Sequence, residues 1–284
     1  ILDPDRKKMS KSKGNVVTPV DLLEEHGSDA VRYWAASGRP GTDTAFDVGQ
    51  MKIGRRLATK VLNASKFALG VFGDEPIRID ASQITTPIDR SLIAQLNGVV
   101  ASSTAAFEGF DYARSLEHTE RFFWAFCDDY IELAKERAYN RNGDVTQAEQ
   151  DSARATLALT LSVLLRLFAP IMPFVTEDVW SWWRSGSIHR SSWPTQDELA
   201  PAVGNAAVFS LASEAIALVR KAKSEAKVSM GAPMASAVIT ASAEQHEVLK
   251  SAEFDVRSAG RIGELQWAAG ETLSVAAEFA EAAE

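Results

Sequence analysis

Cysteine is almost absent from this sequence, with Cys127 alone among 284 residues. A single thiol excludes a disulfide framework and a zinc site made of four cysteines, and it is typical of a cytoplasmic protein. Histidine is also scarce, and no two of its four occurrences lie three to five residues apart: His26, His118, His189 and His246. This spacing predicts no metal site, and no nucleophile–histidine motif is visible either.

Long apolar runs are missing as well. The sequence has no stretch of eighteen or more apolar residues, so it predicts no membrane-spanning segment, and no secretory leader is expected. Its apolar fraction of 46% and charged fraction of 24% are ordinary for a globular protein. The first residue is not Met and the chain begins in what reads as a strand, so we expect a fragment of a longer protein.

An overall surplus of basic residues is also missing, since the formal net charge is −8. The distribution is uneven. Residues 1–70 contain twelve Lys and Arg against eight Asp and Glu, whereas the remainder contains eighteen against thirty. Binding of nucleic acid requires a local basic face rather than a basic total. The charge therefore permits RNA binding without demonstrating it.

The most distinctive stretch is residues 8–15, which read KMSKSKGN. Ammonium and hydroxyl groups can close around a polyphosphate, and Gly14 lets the backbone approach it. Lysine suits this role because a flexible point charge can follow phosphate charge as it develops. A short lysine run is nevertheless more often a solvated surface or a linker, and composition alone favours that interpretation.

Family resemblance favours the phosphate-binding interpretation. Residues 8–12 are identical to the KMSKS signature of class I aminoacyl-tRNA synthetases, and the continuation to Val17 resembles the valine, isoleucine and leucine members. Residues 27–33 (GSDAVRY) resemble the GADALR pattern of the segment that contacts the tRNA stem, and residues 165–180 resemble the LLHPFMPFITEELW pattern of the anticodon domain. Residues 61–67 (VLNASKF) resemble the LWNASRF segment of the valine members in particular.

The resemblance implies a valine–tRNA ligase in the full-length protein. Such an enzyme converts valine and ATP into valyl-adenylate and pyrophosphate, and then passes the valyl group to a valine-accepting tRNA. Lys8 and Lys11 would be the catalytic residues, since they would stabilise charge on the departing pyrophosphate. The contacts to the ATP phosphates would come from Lys8, Met9, Ser10, Lys11 and Ser12. Mg²⁺ is expected as the metal of the full-length enzyme.

The fragment alone is expected to be an inactive monomer, with no bound cofactor and no membrane partner. Two alternatives stay open at this point. One is an isoleucine member of the family, and the other is a non-catalytic helical RNA-binding module that keeps the signature. An upstream nucleotide-binding fold with the family's histidine signature would decide for the enzyme.

The predicted fold is mainly α. Residues 1–46 are expected to form the end of the class I nucleotide-binding fold, with the KMSKS loop and two stem-contact helices. Residues 47–195 would form the anticodon-binding helical bundle, and residues 196–208 a linker rich in Pro, Gly and Ala. Beyond the linker, residues 209–284 alternate between helical and strand periods, which predicts a small α/β module.

The first long helix, predicted over about residues 48–72, has an apolar face in steps of three and four: Ile53, Leu57, Val61, Ala64 and Ala68. Candidate RNA-contacting cations lie on this helix and near the end of the third one: Arg55, Arg56, Lys60, Lys66, Lys135 and Arg141. Such charges are more often a solvated face, and cations also suit a helix C-terminus. Asp29 is predicted to cap its own helix.

Overall fold

The computed structural model describes residues 1–279, and it confirms a mainly α fold with a small α/β module near the end. The chain divides into two compact units. The first comprises residues 1–77, 98–123 and 160–196, and the second comprises residues 78–97, 124–159 and 197 onward. The predicted domain boundaries after residues 46, 195 and 208 stay a prediction.

The first unit is helical. Its elements are α1 (Pro19–His26), α2 (Ser28–Ala36), α3 (Val48–Gly70), the C-terminal part of α4 (Pro87–Glu108), most of α5 (Tyr112–Ala125), the C-terminal part of α7 (Gln147–Phe168) and α8 (Pro173–Ser181). Pro19 and Pro173 each occupy the first turn of a helix, where a missing N–H costs nothing. Gly27 separates α1 from α2 with φ of 84°, a conformation that favours glycine.

Helix α3 begins as its sequence predicts, because the Asp47 carboxylate accepts hydrogen bonds from the N–H groups of Gly49 and Gln50. Four of the five residues predicted to form its apolar face are buried, namely Leu57, Val61, Ala64 and Ala68. Ile53 is exposed, and Gly54 is buried in its place. A Cβ added to Gly54 would lie 2.7 Å from the Tyr33 Cβ, so the close approach of α2 turns this side of α3 inward.

Helix α2 binds the break between α7 and α8. The Arg32 guanidinium donates to the carbonyl oxygens of Ile171 and Pro170 at 3.0 and 2.7 Å. One turn earlier, the buried Asp29 carboxylate accepts from the N–H groups of Phe174 and Val175 at 3.1 and 2.7 Å. The prediction that Asp29 caps its own helix is therefore wrong. Asp29 caps the N-terminus of α8.

The second unit combines helices and one sheet. Its elements are the N-terminal part of α4, a π-helical segment (Phe126–Tyr130), α6 (Ile131–Tyr139), the N-terminal part of α7, α9 (Ala207–Glu225), β1 (Met234–Ala241), α10 (Ala243–Lys250), α11 (Glu253–Gly260), β2 (Ile262–Ala269) and β3 (Ser274–Phe279). The strand order is β2-β1-β3, with β1 parallel to β2 and antiparallel to β3. Helices α10 and α11 form the crossover between the parallel strands.

The segment predicted as a linker is packed within the second unit. Leu199 and Ala202 are fully buried, and a short 3-10 helix covers Ala200–Ala202. The Gly204 N–H donates to the Arg90 carbonyl oxygen at 3.1 Å, and the Arg90 guanidinium donates to the Val203 carbonyl oxygen at 2.9 Å. Reciprocal bonds of this kind hold the segment against α4.

The deepest ionic contact of the second unit is centred on Arg137, a fully buried side chain. Its guanidinium donates to both oxygens of Asp89 at 2.6 and 2.8 Å, and its Nε donates to Asp255 at 2.6 Å. Asp89 also accepts from the hydroxyl groups of Tyr130 and Ser152. Two carboxylates thus share one cation. Burial raises the pKa of Asp255 to about 6, although the charge of Arg137 acts in the opposite direction.

We predict that Arg137→Ala lowers the free energy of unfolding by about 3–5 kcal/mol, because two buried carboxylates lose their cation. Denaturant titration followed by circular dichroism measures the change. The control is Arg121→Ala, which removes an exposed guanidinium 2.9 Å from Glu117 and should cost no more than about 1 kcal/mol. Equal losses for the two variants would contradict a special role for the buried cluster.

Candidate functional site

The start of the chain is anchored to the segment that precedes α3. The predicted strand at Ile1 and Leu2 is reduced to two single-residue bridges, one from Leu2 to Lys8 and one from Leu2 to Ala45. The Leu2 N–H donates to the Thr44 carbonyl oxygen at 2.9 Å, and the Leu2 carbonyl oxygen accepts from Phe46 at 2.8 Å. Leu2 is therefore held through both its N–H and its carbonyl group, which anchors the start of the loop that follows it.

A carboxylate–amide clamp closes the KMSKS loop. The buried Asp3 carboxylate accepts from the Lys7 N–H at 2.7 Å and from the Asn15 side-chain amide at 2.8 Å. The amide oxygen of Asn15 accepts in turn from the Ser10 N–H at 2.9 Å. The Asn15 hydrogen bond and, after it, the Lys7 N–H lower the pKa of Asp3. Asn15 thus joins the start, the middle and the end of the loop.

The loop presents its cations to solvent. Residues 11–13 form a 3-10 turn that ends at Gly14, whose φ of 67° suits glycine. The side chains of Lys8 and Lys11 are exposed, and neither has an ion-pair partner among residues 1–279. Met9 and Ser10 are half-buried, and the Ser10 and Ser12 hydroxyl oxygens lie 3.2 Å apart. Two unpaired ammonium groups beside two hydroxyls can bind an anion such as a polyphosphate.

The described part of the chain contains no cluster of three or more His, Cys, Asp or Glu that could hold a metal ion. No side chain among residues 1–279 is therefore assigned to the Mg²⁺ that the resemblance implies. Within residues 1–279, no helix is long and apolar enough to cross a membrane.

Helix α3 carries one basic face, defined as Lys52, Arg55, Arg56, Lys60 and Lys66. All of these side chains are exposed except Lys60, which is half-buried. They lie opposite the buried residues Leu57 and Val61, and α3 contains no acidic residue to neutralise them. Arg55 also donates to the Glu25 carbonyl oxygen at the end of α1.

The remaining candidate RNA contacts lie in the second unit. Lys135 is exposed and pairs with Glu132 at 3.7 Å, and the Arg141 guanidinium lies 4.5 Å from the centroid of the Tyr139 ring. Both cations are thus already engaged within their own region. The roles of all the predicted site residues, in the loop and in both units, stay predictions.

One cleft in the first unit escaped the sequence analysis. It is formed by residues 26–30, 55–62 and 174–178, which are distant in sequence and meet only in the fold. The sequence feature that could have indicated this cleft is Phe174, a large apolar residue directly after the helix-initiating Pro173. The sequence pattern around Phe174 predicts only a structural role for these residues.

Comparisons of single domains and of the whole chain with known proteins indicate the same family. Residues 89–239 match the family model of the anticodon-binding domain of tRNA ligases, and residues 1–47 match the model of class I tRNA synthetases (I, L, M and V). Valine–tRNA ligase from Salinispora tropica is 53% identical across 96% of this chain and 33% of its own length. The corresponding protein from Thermobifida fusca is 57% identical across 92% of this chain and 29% of its own length.

The chain therefore spans about a third of the length of the curated relatives that it matches. Among solved structures, the LeuRS of Agrobacterium radiobacter K84, in a ternary complex with tRNA and LeuAMS, shares the fold with a TM-score of 0.53. That match has 22% identity and covers 69% of this chain and 23% of the other.

We predict that Asn15→Ala releases the KMSKS loop, because it removes the contacts from Asn15 to both Asp3 and the Ser10 N–H. Amide hydrogen exchange over residues 8–14 should become roughly tenfold faster, the size expected for one or two net hydrogen bonds. Acid should have the same effect. Since the folded pKa of Asp3 is lowered, the clamp is complete above the ordinary value of 3.8 and is lost as pH falls through the lowered value.

Asp5→Asn is the control for this experiment, since the Asp5 side chain is exposed and its carboxylate lies 3.5 Å from the Lys7 ammonium group, outside the clamp. Its exchange pattern should equal that of the unmodified chain. Unchanged exchange in Asn15→Ala would mean that the clamp does not order the loop.

Proposed function

The chain belongs to the tRNA ligase family whose anticodon-binding domain its residues 89–239 match, and we propose that it is the part of a valine–tRNA ligase that carries the KMSKS loop and the anticodon-binding bundle. Membership confirms the class I resemblance inferred from the loop and its flanking segments. The observation that carries the proposal is the clamped loop with Lys8 and Lys11 exposed and unpaired, in a chain at least 50% identical to several valine–tRNA ligases.

In the proposed reaction, the carboxylate of valine attacks the α-phosphorus of ATP, and the bond to the departing pyrophosphate breaks. Negative charge then accumulates on the leaving group. Lys8 and Lys11 stabilise this charge electrostatically, without transferring a proton. The loop can follow the leaving group because its lysines have no competing carboxylate, while the clamp keeps both ends of the loop in place. Ser10 and Ser12 add hydroxyl contacts to the phosphates.

The second half of the reaction requires a tRNA, and we assign the basic face of α3 to its phosphates. Exposed guanidinium and ammonium groups on a helix without acidic residues form a local positive surface, although the net charge is negative. The match to the anticodon-binding domain of tRNA ligases covers residues 89–239, which follow α3 in the chain, and it supports contact of that later part with the anticodon. The LeuRS that shares this fold is described with tRNA, which agrees with this assignment. We also propose that the full-length enzyme is monomeric and cytoplasmic.

We predict that Lys11→Ala in the full-length ligase lowers ATP–pyrophosphate exchange roughly a hundredfold, since one lost contact to a developing oxyanion costs about 3 kcal/mol. The affinity for tRNA should stay within twofold. Lys13→Ala is the matched control, because Lys13 is exposed, has the same charge and lies one residue beyond the signature. Exchange at the unmodified rate in Lys11→Ala would remove Lys11 from the mechanism.

We predict that Arg56→Ala combined with Lys66→Ala lowers the salt dependence of tRNA binding by about two units of slope, or about one for each phosphate contact. Binding of a valine-accepting tRNA transcript to the 284-residue chain is measured at several salt concentrations. The control combines Lys221→Ala with Lys250→Ala, two exposed lysines of the second unit. If both double variants keep the original slope, the basic face of α3 is only a solvated surface.

A further inference from the structure

A cleft of about 430 Å³ opens in the first unit beside the basic face of α3. Its walls come from the junction of α1 and α2, from the middle of α3 and from the first turn of α8. The volume falls within the range of about 300–1,000 Å³ that small-molecule sites occupy. It is sufficient for a nucleobase with its sugar, and neither the KMSKS loop nor the anticodon-domain assignment accounts for it.

The floor of the cleft is apolar and one wall is aromatic. Ala58, Leu62 and Val175 line it together with Phe174. Phe174 is 63% exposed, so its ring is available to a ligand in the cleft. Its backbone is fixed, because its N–H donates to Asp29 at the start of α8. An exposed aromatic ring on a backbone held in this way can serve as a stacking platform.

The polar groups of the cleft include both donors and an acceptor. His26 lines the cleft, but its Nε2 is enclosed by the protein and lies 3.6 Å from a Glu25 carboxylate oxygen. Arg55 uses one of its five N–H donors on the Glu25 carbonyl oxygen. Asp178, which is exposed, contributes a carboxylate to the lining.

This combination favours one class of ligand. Carboxylates in the lining disfavour a phosphate group, because like charges repel in a confined site. A nucleobase matches better, since its flat face stacks on an aromatic ring and its edge carries both donors and acceptors. Proteins that read RNA sequence commonly take unstacked bases in this way.

We propose that the cleft binds one unstacked nucleobase of the tRNA, with its face on Phe174 and its edge against Arg55 and Asp178. The inference rests on the proposed function, because it takes the RNA partner from there. It adds a base-contacting site to the phosphate-contacting face of α3. A phosphodiester of the same RNA in the cleft is the competing occupant, and the experiment separates the two.

The test is Phe174→Ala in the 284-residue chain, with a valine-accepting tRNA transcript as the probe. Binding should weaken by about tenfold at every salt concentration, and the slope should not change, because stacking neutralises no phosphate. Phe174→Tyr should retain the affinity. Phe110→Ala is the matched control, since Phe110 is 82% exposed in the same unit and does not line the cleft.

A second measurement does not depend on a variant. In methyl NMR spectra of the unmodified chain, added tRNA should shift the Leu62 and Val175 methyl signals upfield through the ring current of the base. The inference is overturned if the chain binds tRNA while Phe174→Ala behaves like Phe110→Ala, or if these methyl signals do not move. It is also overturned if Phe174→Ala changes the salt slope, which indicates a phosphate. Absence of tRNA binding by the unmodified chain instead refutes the proposed function itself.

Discussion

The first unit depends on how the helix ends between α7 and α8 are satisfied. A helix that stops leaves unpaired carbonyl groups, and a helix that starts leaves unpaired N–H groups. Here both sets occur within a few residues, around Pro170 and Phe174. Helix α2 meets this connection with opposite charges one turn apart. Arg32 donates to the carbonyl groups of Pro170 and Ile171 in the turn after α7, and Asp29 accepts from N–H groups at the start of α8. Each charge also has the sign that the adjacent helix dipole favours.

This joint gives a physical reason for two of the family-like segments. The stretch at residues 27–33 supplies the acid and the base, and the stretch at residues 165–180 supplies the backbone groups that they bind. The two segments are nearly 140 residues apart, yet they form one structural feature. The same joint sets the position of Phe174, so the architecture and the proposed base contact have a common origin.

Local patterns predicted most of the helices. The signals that define a helix are the period of its apolar residues, its capping residues and its prolines, and each of them lies within a few residues of the feature that it determines. The KMSKS loop was found for the same reason, since its residues are contiguous. Predictions failed where the burial of a residue is determined by a partner that is distant in the sequence. Ile53 turned outward because Tyr33 packs against Gly54. No sequence signal marked Asp255, on helix α11, as a buried partner of Arg137. No local signal distinguished Arg137, which is buried, from its exposed neighbours Lys135 and Arg141.

The ionic cluster around Arg137 also has a consequence for biosynthesis. Arg137 and Asp255 are 118 residues apart in the chain. A ribosome that adds ~5–20 residues per second needs roughly 6 to 24 s to cover that distance. Throughout this interval the nascent protein contains Asp89 but lacks the second carboxylate, so the guanidinium Nε–H cannot yet pair with Asp255. The buried cluster is therefore completed only after the segment that contains α11 has been synthesised.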